Sequence, residues 1–172
     1  MHQNDFKRTV FVHKNKMYRF ALSIIGDEDE AKDAVQDVML KLWETRVELS
    51  EKTSIEAWCM TLIRNKSLDI LKRVGRKLKT NLDDASVKLT SHDKMPDSYT
   101  IENETMEHIN KAVLNLPEKQ KSVFQLRDVE GYSYLEISET LNMDMNQVKV
   151  YIFRARKSIK ESLENMSNYG QR

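Results

Sequence analysis

The sequence contains very little cysteine, proline and glycine: one cysteine, two prolines and four glycines in 172 residues. The single cysteine, Cys59, excludes an internal disulfide and is typical of a protein in the reducing cytosol. Because Cys59 follows Trp58 in an apolar-periodic segment, we predict that it is a buried structural thiol. The scarcity of proline and glycine, with leucine, lysine, glutamate and methionine common, favours an all-α protein.

Other absences exclude whole classes of function. The sequence has no apolar run long enough to cross a bilayer, and its N-terminus is not a signal peptide. The four histidines are scattered, so we expect no metal site and no cofactor. No carboxylate cluster, Cys/His pair or glycine-rich phosphate loop supports an enzyme such as a small nuclease, and we expect no small-molecule substrate. The net charge is only +1, so any nucleic-acid binding must come from local patches.

Near the C-terminus, the sequence predicts two short helices separated by a tight turn. Ser133 and Glu136 form a capping box for the first helix, and Asp144 and Gln147 occupy the same places before the second. Asn142 lies between them, where the first helix must end in a left-handed residue that Asn tolerates. Two capped helices joined in this way predict a helix-turn-helix unit.

The second of these helices carries cations without an acid among them: Lys149, Arg154, Arg156, Lys157 and Lys160. The helix pair therefore predicts a DNA-binding helix-turn-helix, in which the early residues of the second helix reach base edges. We assign base contacts to Asn146, Gln147, Lys149, Val150 and Tyr151, and phosphate contacts to Arg154, Arg156 and Lys157. We expect the apolar residues Leu135, Ile137, Leu141, Val148 and Ile152 to hold the two helices together.

The N-terminal half predicts three helices that bury one core. They run from about Asp5 to Ile25, from Asp27 to about Arg46, and from Thr53 to about Leu78. The inward stripe of the first is Phe6, Val10, Met17, Ala21, Leu22 and Ile25, and Gly26 ends it. Capping boxes of Asp27 with Glu30, and of Thr53 with Glu56, begin the other two. The third helix is apolar at first and basic in its second half.

Between the two halves, the helical periodicity fails. Residues 80–103 are polar and net acidic and contain Pro96, and we interpret them as a flexible linker. Helical spacing resumes with Met106, Ile109, Val113 and Leu116, and Pro117 begins a further helix to about Val129, which Gly131 ends. The predicted fold is therefore all-α, with two small helical domains, 1–79 and 104–172, joined by a flexible acidic linker.

Three segments, in this order, resemble those of a bacterial RNA polymerase sigma factor. EAKDAVQDVMLKLWE, Glu30–Glu44, resembles the polymerase-binding helix of the sigma-70 family, and AWCMTLIRNKSLDILKR, Ala57–Arg73, resembles its helix for the −10 promoter element. LPEKQKSVFQLRDVEGYSYLEISETLNM followed by QVKVYIFRARKSIKESL resembles its reader of the −35 element. The most similar group is the compact extracytoplasmic-function (ECF) group, which keeps only these two domains.

The resemblance gives a role to the outer face of the second helix. Ala31, Val35, Val38, Leu42 and Trp43 form its core stripe, and Asp33, Gln36, Asp37, Leu40 and Lys41 lie away from that stripe. Leu40 is apolar where solvent is expected, which suits a protein interface. The resemblance implies that this face docks on the clamp helices of the largest polymerase subunit.

The resemblance also implies that Asn65, Lys66, Asp69, Lys72, Arg73 and Arg76 bind the −10 element, where a flipped base enters a pocket made with the loop 47–52. Trp58 is the only aromatic residue between Val47 and Lys79, so we expect a hydrogen-bonding pocket rather than an aromatic platform. Asp69 has a second interpretation, a surface charge paired with Arg73 four residues later.

In the segment that resembles the −35-binding helix-turn-helix, the sequence departs from the family pattern. Val150 and Tyr151 replace a Ser-Arg pair, Phe153 replaces a histidine, and Asn142 replaces a glycine. In relatives the linker threads the active-site and RNA-exit channels of the polymerase. The linker acids Asp83, Asp84, Asp93 and Asp97 suit such a path, because negative charge mimics nucleic acid among cationic walls.

These features predict a cytoplasmic alternative sigma factor, a non-catalytic specificity subunit. Its implied partners are core RNA polymerase, through the clamp helices and the flap of the second-largest subunit, promoter DNA, and an anti-sigma factor that can hold it at the inner membrane. The alternative is a helix-turn-helix repressor, which binds its operator tightly as a dimer without polymerase. A sigma factor, in contrast, binds promoters weakly on its own.

Overall fold

A computed structural model of the chain describes residues 3–46, 54–81 and 101–169, with side chains described for 5–46, 54–75 and 106–165. In these ranges the ordered elements are helical. They are, in chain order, α1 Gln3–Thr9, a 3₁₀ turn Phe11–His13, α2 Lys14–Ile25, α3 Glu28–Glu44, α4 Ile55–Asn81, α5 Ile101–Leu114, α6 Glu118–Phe124, a π-helical segment Gln125–Val129, α7 Tyr134–Leu141 and α8 Met145–Tyr169. The prediction of an all-α protein is confirmed.

The first predicted helix is broken in the structure. Helix α1 ends at Thr9, whose hydroxyl donates a 2.7 Å hydrogen bond to the carbonyl of Asp5. Val10 has φ −109° and is fully buried, and α2 begins only at Lys14. The β-branched residues Thr9, Val10 and Val12 disfavour a continuous helix here, because branching at Cβ restricts χ1. The prediction of one helix from Asp5 to Ile25 is wrong, although its inward stripe is correct.

The ends of the next helices follow local capping chemistry. Gly26 ends α2 with φ +77°, and the Asp27 carboxylate accepts a 2.9 Å bond from the Glu30 backbone, as predicted. Helix α4 differs, because the Ser54 hydroxyl accepts the bond from the Ala57 backbone at 3.2 Å. Thr53, the predicted cap, lies outside the described residues.

The helices on either side of the predicted linker extend into its predicted range. Helix α4 extends to Asn81, and α5 already begins at Ile101. The linker acids and the predicted base pocket at 47–52 lie outside the described residues.

The C-terminal helices carry the predicted turn chemistry. Pro117 is the N-cap of α6, so this helix begins at Glu118, one residue later than predicted. The π-helical segment ends where the Glu130 backbone donates to the Gln125 carbonyl at 3.0 Å, and Gly131 follows with φ +77°. The full capping box of Ser133 is present, and Asn142 ends α7 in the left-handed region at φ 49°. The predicted helix-turn-helix is confirmed in α7 and α8.

One hydrophobic cluster extends through both halves of the chain. It joins Phe20, Leu42 and Ile63 of the N-terminal helices to Leu126 and Ile137 of the C-terminal ones. A second, smaller cluster lies between α5 and α8. Helices α2 and α4 therefore pack against α6 and α7, and the two predicted domains are in contact.

Three apolar residues and Cys59 test the predicted core. Leu135 is 57% exposed, so the prediction that it holds the two helices together is wrong. Met106, at which helical spacing resumes, is 55% exposed. Trp58 is half-buried and packs against the cluster. Cys59 is fully buried, as predicted, and burial raises the pKa of its thiol to about 12.

Candidate nucleic-acid and protein interfaces

The outer face of α3 presents all five predicted polymerase-contact residues to solvent: Asp33, Gln36, Asp37, Leu40 and Lys41. Leu40 is 62% exposed, although Val38 and Leu42 on either side are buried. A large apolar side chain ringed by polar ones is characteristic of a protein contact rather than of a solvated face.

A polar groove lies between α3 and α4, and it brings together residues that the sequence analysis assigned to different partners. Acidic and amide residues of the α3 face line one side, and Lys66 and Arg73 of α4 line the other. Lys66 forms an ion pair with Asp37, and Arg73 donates to the Glu30 carboxylate at 2.9 Å. These exposed or half-exposed pairs are weak enough to be exchanged for contacts with a phosphate.

The other predicted −10 residues have different surroundings. Asn65, Asp69 and Lys72 are exposed on α4, and the Lys72 ammonium lies 3.9 Å from the Asp69 carboxylate. The alternative pairing of Asp69 with Arg73 is not observed, because Arg73 is turned toward Glu30. The side chain of Arg76 lies outside the described residues.

The second helix of the helix-turn-helix, α8, exposes most of the predicted −35 set. Asn146, Gln147, Lys149, Val150, Arg154, Arg156 and Lys157 are exposed, while Val148, Ile152 and Ala155 anchor the opposite side of the helix. Tyr151 is half-buried and packs against the main hydrophobic cluster, so it lies away from the exposed face.

Some of these polar groups already have partners within the protein. Arg156 forms a bidentate ion pair with Asp128. Lys157 lies 3.7 Å from Glu161. The Gln147 side-chain carbonyl accepts a 3.3 Å bond from the Asp144 backbone, while the Asp144 carboxylate accepts from the Asn146 backbone at 2.7 Å. The cap before α8 thus uses the predicted pair, but Asp144 caps one residue earlier than a standard capping box does.

A polar seam joins the two halves of the protein, with Glu56 of α4 at its centre. The Glu56 carboxylate accepts bonds from the Lys16 ammonium at 2.7 Å and from the Tyr132 hydroxyl at 2.6 Å. The imidazole of His13 lies 3.8 Å away. Partial burial raises the pKa of Glu56, but the bonds from Lys16 and Tyr132 outweigh it, so this pKa lies below its ordinary value.

Further contacts extend this seam on both sides of Glu56. Arg19 donates two bonds, of 2.8 and 2.7 Å, to Glu130. Arg64 donates to Glu118 at 2.9 Å, and the Thr61 hydroxyl donates to the Thr140 carbonyl at 3.0 Å. Arg64 belongs to the basic half of α4, but its guanidinium group lies in the seam.

The seam predicts a pH-dependent stability that the substitution Glu56→Gln removes. Because the pKa of Glu56 is lower in the folded than in the unfolded chain, its contribution is fully present above the ordinary value. It is lost as the pH falls through the folded value. We expect Glu56→Gln to lower the free energy of unfolding by about 1–2 kcal/mol near pH 7, and by much less near pH 3.

Urea unfolding at the two pH values checks this prediction. Glu139→Gln on the exposed surface of α7 is the matched control, and it should change the free energy by less than about 0.5 kcal/mol at either pH. An equal loss for Glu56→Gln at both pH values would show that the carboxylate charge is not what the seam uses.

Family comparisons follow the same division of the chain. Residues 11–77 match the model of Sigma-70 region 2, and residues 107–159 match the model of Sigma-70 region 4. Together the two matches cover well over half of the chain, in the family order. The chain is a member of the ECF group of the sigma-70 family.

Individual relatives of this ECF sigma factor are distant but span nearly all of it. It is 23% identical to the ECF sigma factor SigW of Bacillus subtilis over 95% of this chain and 91% of SigW. It is 25% identical to the ECF sigma factor SigE of Mycolicibacterium smegmatis over 91% of this chain, but the match spans only 60% of SigE.

Solved structures show the same fold. The complex of the sigma factor RpoE with the anti-sigma factor NepR from Bartonella quintana matches with a TM-score of 0.74 at 23% identity, covering 93% of this chain and 97% of that one. CnrH in complex with the cytosolic domain of CnrY matches with a TM-score of 0.70 at 18% identity, covering 95% and 90%.

With the family known, the surfaces of this ECF sigma factor can be located on its regions. The α3 face and the α3–α4 groove belong to region 2, and α7 and α8 belong to region 4. In the described ranges, no helix is long and apolar enough to span a membrane. The same ranges contain no group of three or more His, Cys, Asp or Glu side chains arranged to hold a metal ion.

Proposed function

We propose that this ECF sigma factor is a dissociable, non-catalytic subunit that directs core RNA polymerase to specific promoters in the cytoplasm. The observation that carries the proposal is the presence of regions 2 and 4, in family order, each with an exposed cationic helix surface. Neither surface is extensive enough to bind DNA by bulk charge in a protein of net charge +1.

Region 2 supplies two contacts in this proposal. The α3 face, centred on Leu40, docks on the clamp helices of the largest polymerase subunit. The exposed side of α4, with Asn65, Lys66, Lys72 and Arg73, binds the melted −10 strand. Its cations neutralise phosphates, and Asn65 is available for hydrogen bonds to a base.

Region 4 binds the −35 element as duplex and contacts the flap of the second-largest subunit. Helix α8 lies in the major groove, its early residues face base edges, and Arg154 and Lys157 contact phosphates. Arg156 supports the helix through Asp128, so we assign it a positioning role at this surface.

We also propose regulation by an anti-sigma factor. One structural neighbour, RpoE, was solved in complex with the anti-sigma factor NepR, and the other, CnrH, was solved in complex with the cytosolic domain of CnrY. The exposed Leu40 face is suited to being covered, because a partner bound there competes directly with polymerase. A membrane-anchored partner would hold the protein at the inner membrane until it is released.

The repressor alternative accounts for only half of the chain. A helix-turn-helix repressor needs region 4, but it gives no role to region 2 or to the exposed apolar residue on α3. The match of residues 11–77 to Sigma-70 region 2 therefore favours the sigma factor.

Run-off transcription tests the proposal directly. Purified protein is mixed with core polymerase and a library of templates with randomised promoter regions. We expect transcripts that depend on the protein and that start from a recurring pair of sequence elements. Core polymerase that gives the same transcripts with and without the protein would contradict the proposal.

A further inference from the structure

Helix α8 carries an exposed apolar pair that the protein core does not use. Phe153 is 69% exposed, the highest value of any large apolar side chain in the described part of the chain, and Val150 is 44% exposed. Successive helical residues are rotated by about 100°, so Val150 and Phe153 lie opposite Val148, Ile152 and Ala155, which bury the other side. The pair therefore lies near the middle of the face that points away from the protein.

The surroundings of the pair are cationic. Lys149 precedes Val150, Arg154 follows Phe153, and Lys157 lies one turn further along the same face, all of them exposed. A protein partner for an apolar pair in this setting would need an acidic rim. Duplex DNA supplies the matching negative charge in its phosphates and admits an α-helix in its major groove.

The major groove has few apolar groups. Base edges there present hydrogen-bond donors and acceptors, and the C5-methyl group of thymine is the apolar exception. Val150 and Phe153 have no side-chain donor or acceptor, so the chemistry that they can recognise on a base edge is this methyl group. A polar base edge facing Phe153 would instead lose its water without gaining a hydrogen bond.

We infer that Val150 and Phe153 determine the promoter specificity of this protein by contacting thymine methyl groups in the −35 element. This inference rests on the proposed function. The two residues are about 4.5 Å apart along the helix axis, and base pairs are stacked about 3.4 Å apart. The two methyl groups therefore lie within one or two base pairs of each other.

Replacement of thymine by deoxyuridine isolates the methyl group, because it leaves every hydrogen-bonding group of the base in place. The −35 element is first selected with the full-length protein and core polymerase from a library of templates with randomised promoter regions. Each thymine of that element, on either strand, is then replaced singly by deoxyuridine, and holoenzyme affinity is measured by fluorescence anisotropy.

For the natural protein we expect affinity to fall about three- to fivefold at one or two neighbouring positions, and to be unchanged elsewhere. Val150→Ser should remove the dependence at one of these positions, and Phe153→Ser at the other. Val129→Ser is the matched control, because Val129 is 52% exposed in region 4 but lies outside α8. It should keep the full methyl dependence.

Several results would overturn the inference. One is a selected −35 element without A·T pairs. A second is equal affinity of the holoenzyme for the unmodified duplex and for every deoxyuridine duplex, and a third is that the serine variants keep the methyl dependence. Serine variants that lose affinity for core polymerase instead of for the modified DNA would show a protein interface and also overturn it. Absence of any protein-dependent transcript in the selection step contradicts the proposed function, whereas transcripts without methyl dependence contradict this inference alone.

Discussion

Replacement of Leu40 by aspartate should abolish binding of the protein to core polymerase and leave its fold intact. Leu40 is 62% exposed on α3, so the folded protein loses little packing when the side chain changes. In the proposed complex with polymerase, we expect the same position to be buried at the centre of a surface that already carries Asp33 and Asp37. The new carboxylate loses its hydration there without gaining a partner, and the apolar contact is lost as well.

The two costs together predict a loss of affinity of about 100-fold or more. Isothermal titration with purified core polymerase measures this loss, and thermal unfolding monitored by circular dichroism checks the fold. Val12→Asp is the matched control, since Val12 is 61% exposed in the same region but lies on the 3₁₀ turn before α2. It should bind core polymerase like the natural protein. Equal affinity of Leu40→Asp and the natural protein would remove the α3 face from the proposed interface.

Reversal of the charge of Arg154 should weaken promoter binding by the holoenzyme about 10- to 100-fold. Arg154 is exposed on the same face of α8 as Val150 and Phe153, where we place a phosphate contact. Arg154→Glu removes a charge-assisted hydrogen bond, which contributes about 1.5–3 kcal/mol, and adds repulsion from the phosphate. The loss should be similar for all promoters, because a phosphate carries no sequence information.

Filter binding across a series of salt concentrations measures both parts of this prediction. The salt dependence of affinity should decrease by about one released counterion. Lys111→Glu on α5 is the matched control, because it makes the same change in net charge on an exposed residue of region 4 outside α8. If the two variants weaken binding equally, the effect comes from total charge and the Arg154 contact is absent.

The sequence predicts those parts of the fold that depend on neighbouring residues. The left-handed residues Gly26 and Asn142 and the capping box of Ser133 were predicted correctly, because a helix end is satisfied by side chains within three or four positions. The exposure of Leu40 was also predictable, since its position breaks the 3.6-residue pattern of the buried stripe.

Contacts between distant parts of the chain could not be predicted in the same way. Glu56 was assigned to a cap, but its carboxylate binds Tyr132, 76 positions away in the sequence. Arg64 lies in the basic half of α4 and Arg156 was assigned a phosphate contact, yet they form ion pairs with Glu118 and Asp128, respectively. Helical periodicity identifies the side of a helix on which a charge lies, but it carries no information on which acid from another helix reaches it.

The candidate site shows the same limit. Periodicity identified both faces of the groove between α3 and α4, but the pairing of Lys66 with Asp37 requires the packing of the two helices. Leu135 was wrongly predicted as a core residue, because it lies two positions before Ile137 and therefore about 200° away from it around the helix. Only Ile137 and Leu141 of that short helix are buried among its apolar residues.

The affinity of the purified protein for its selected promoter, with and without core polymerase, tests the central claim most directly. The claim is that the surfaces of regions 2 and 4 bind one promoter together only when polymerase holds them. Fluorescence anisotropy should therefore show weak binding by the protein alone and an affinity at least about 100-fold higher for the holoenzyme than for core alone or the protein alone. Binding of the promoter duplex by the free protein at about nanomolar affinity, unchanged when core polymerase is added, would contradict the claim.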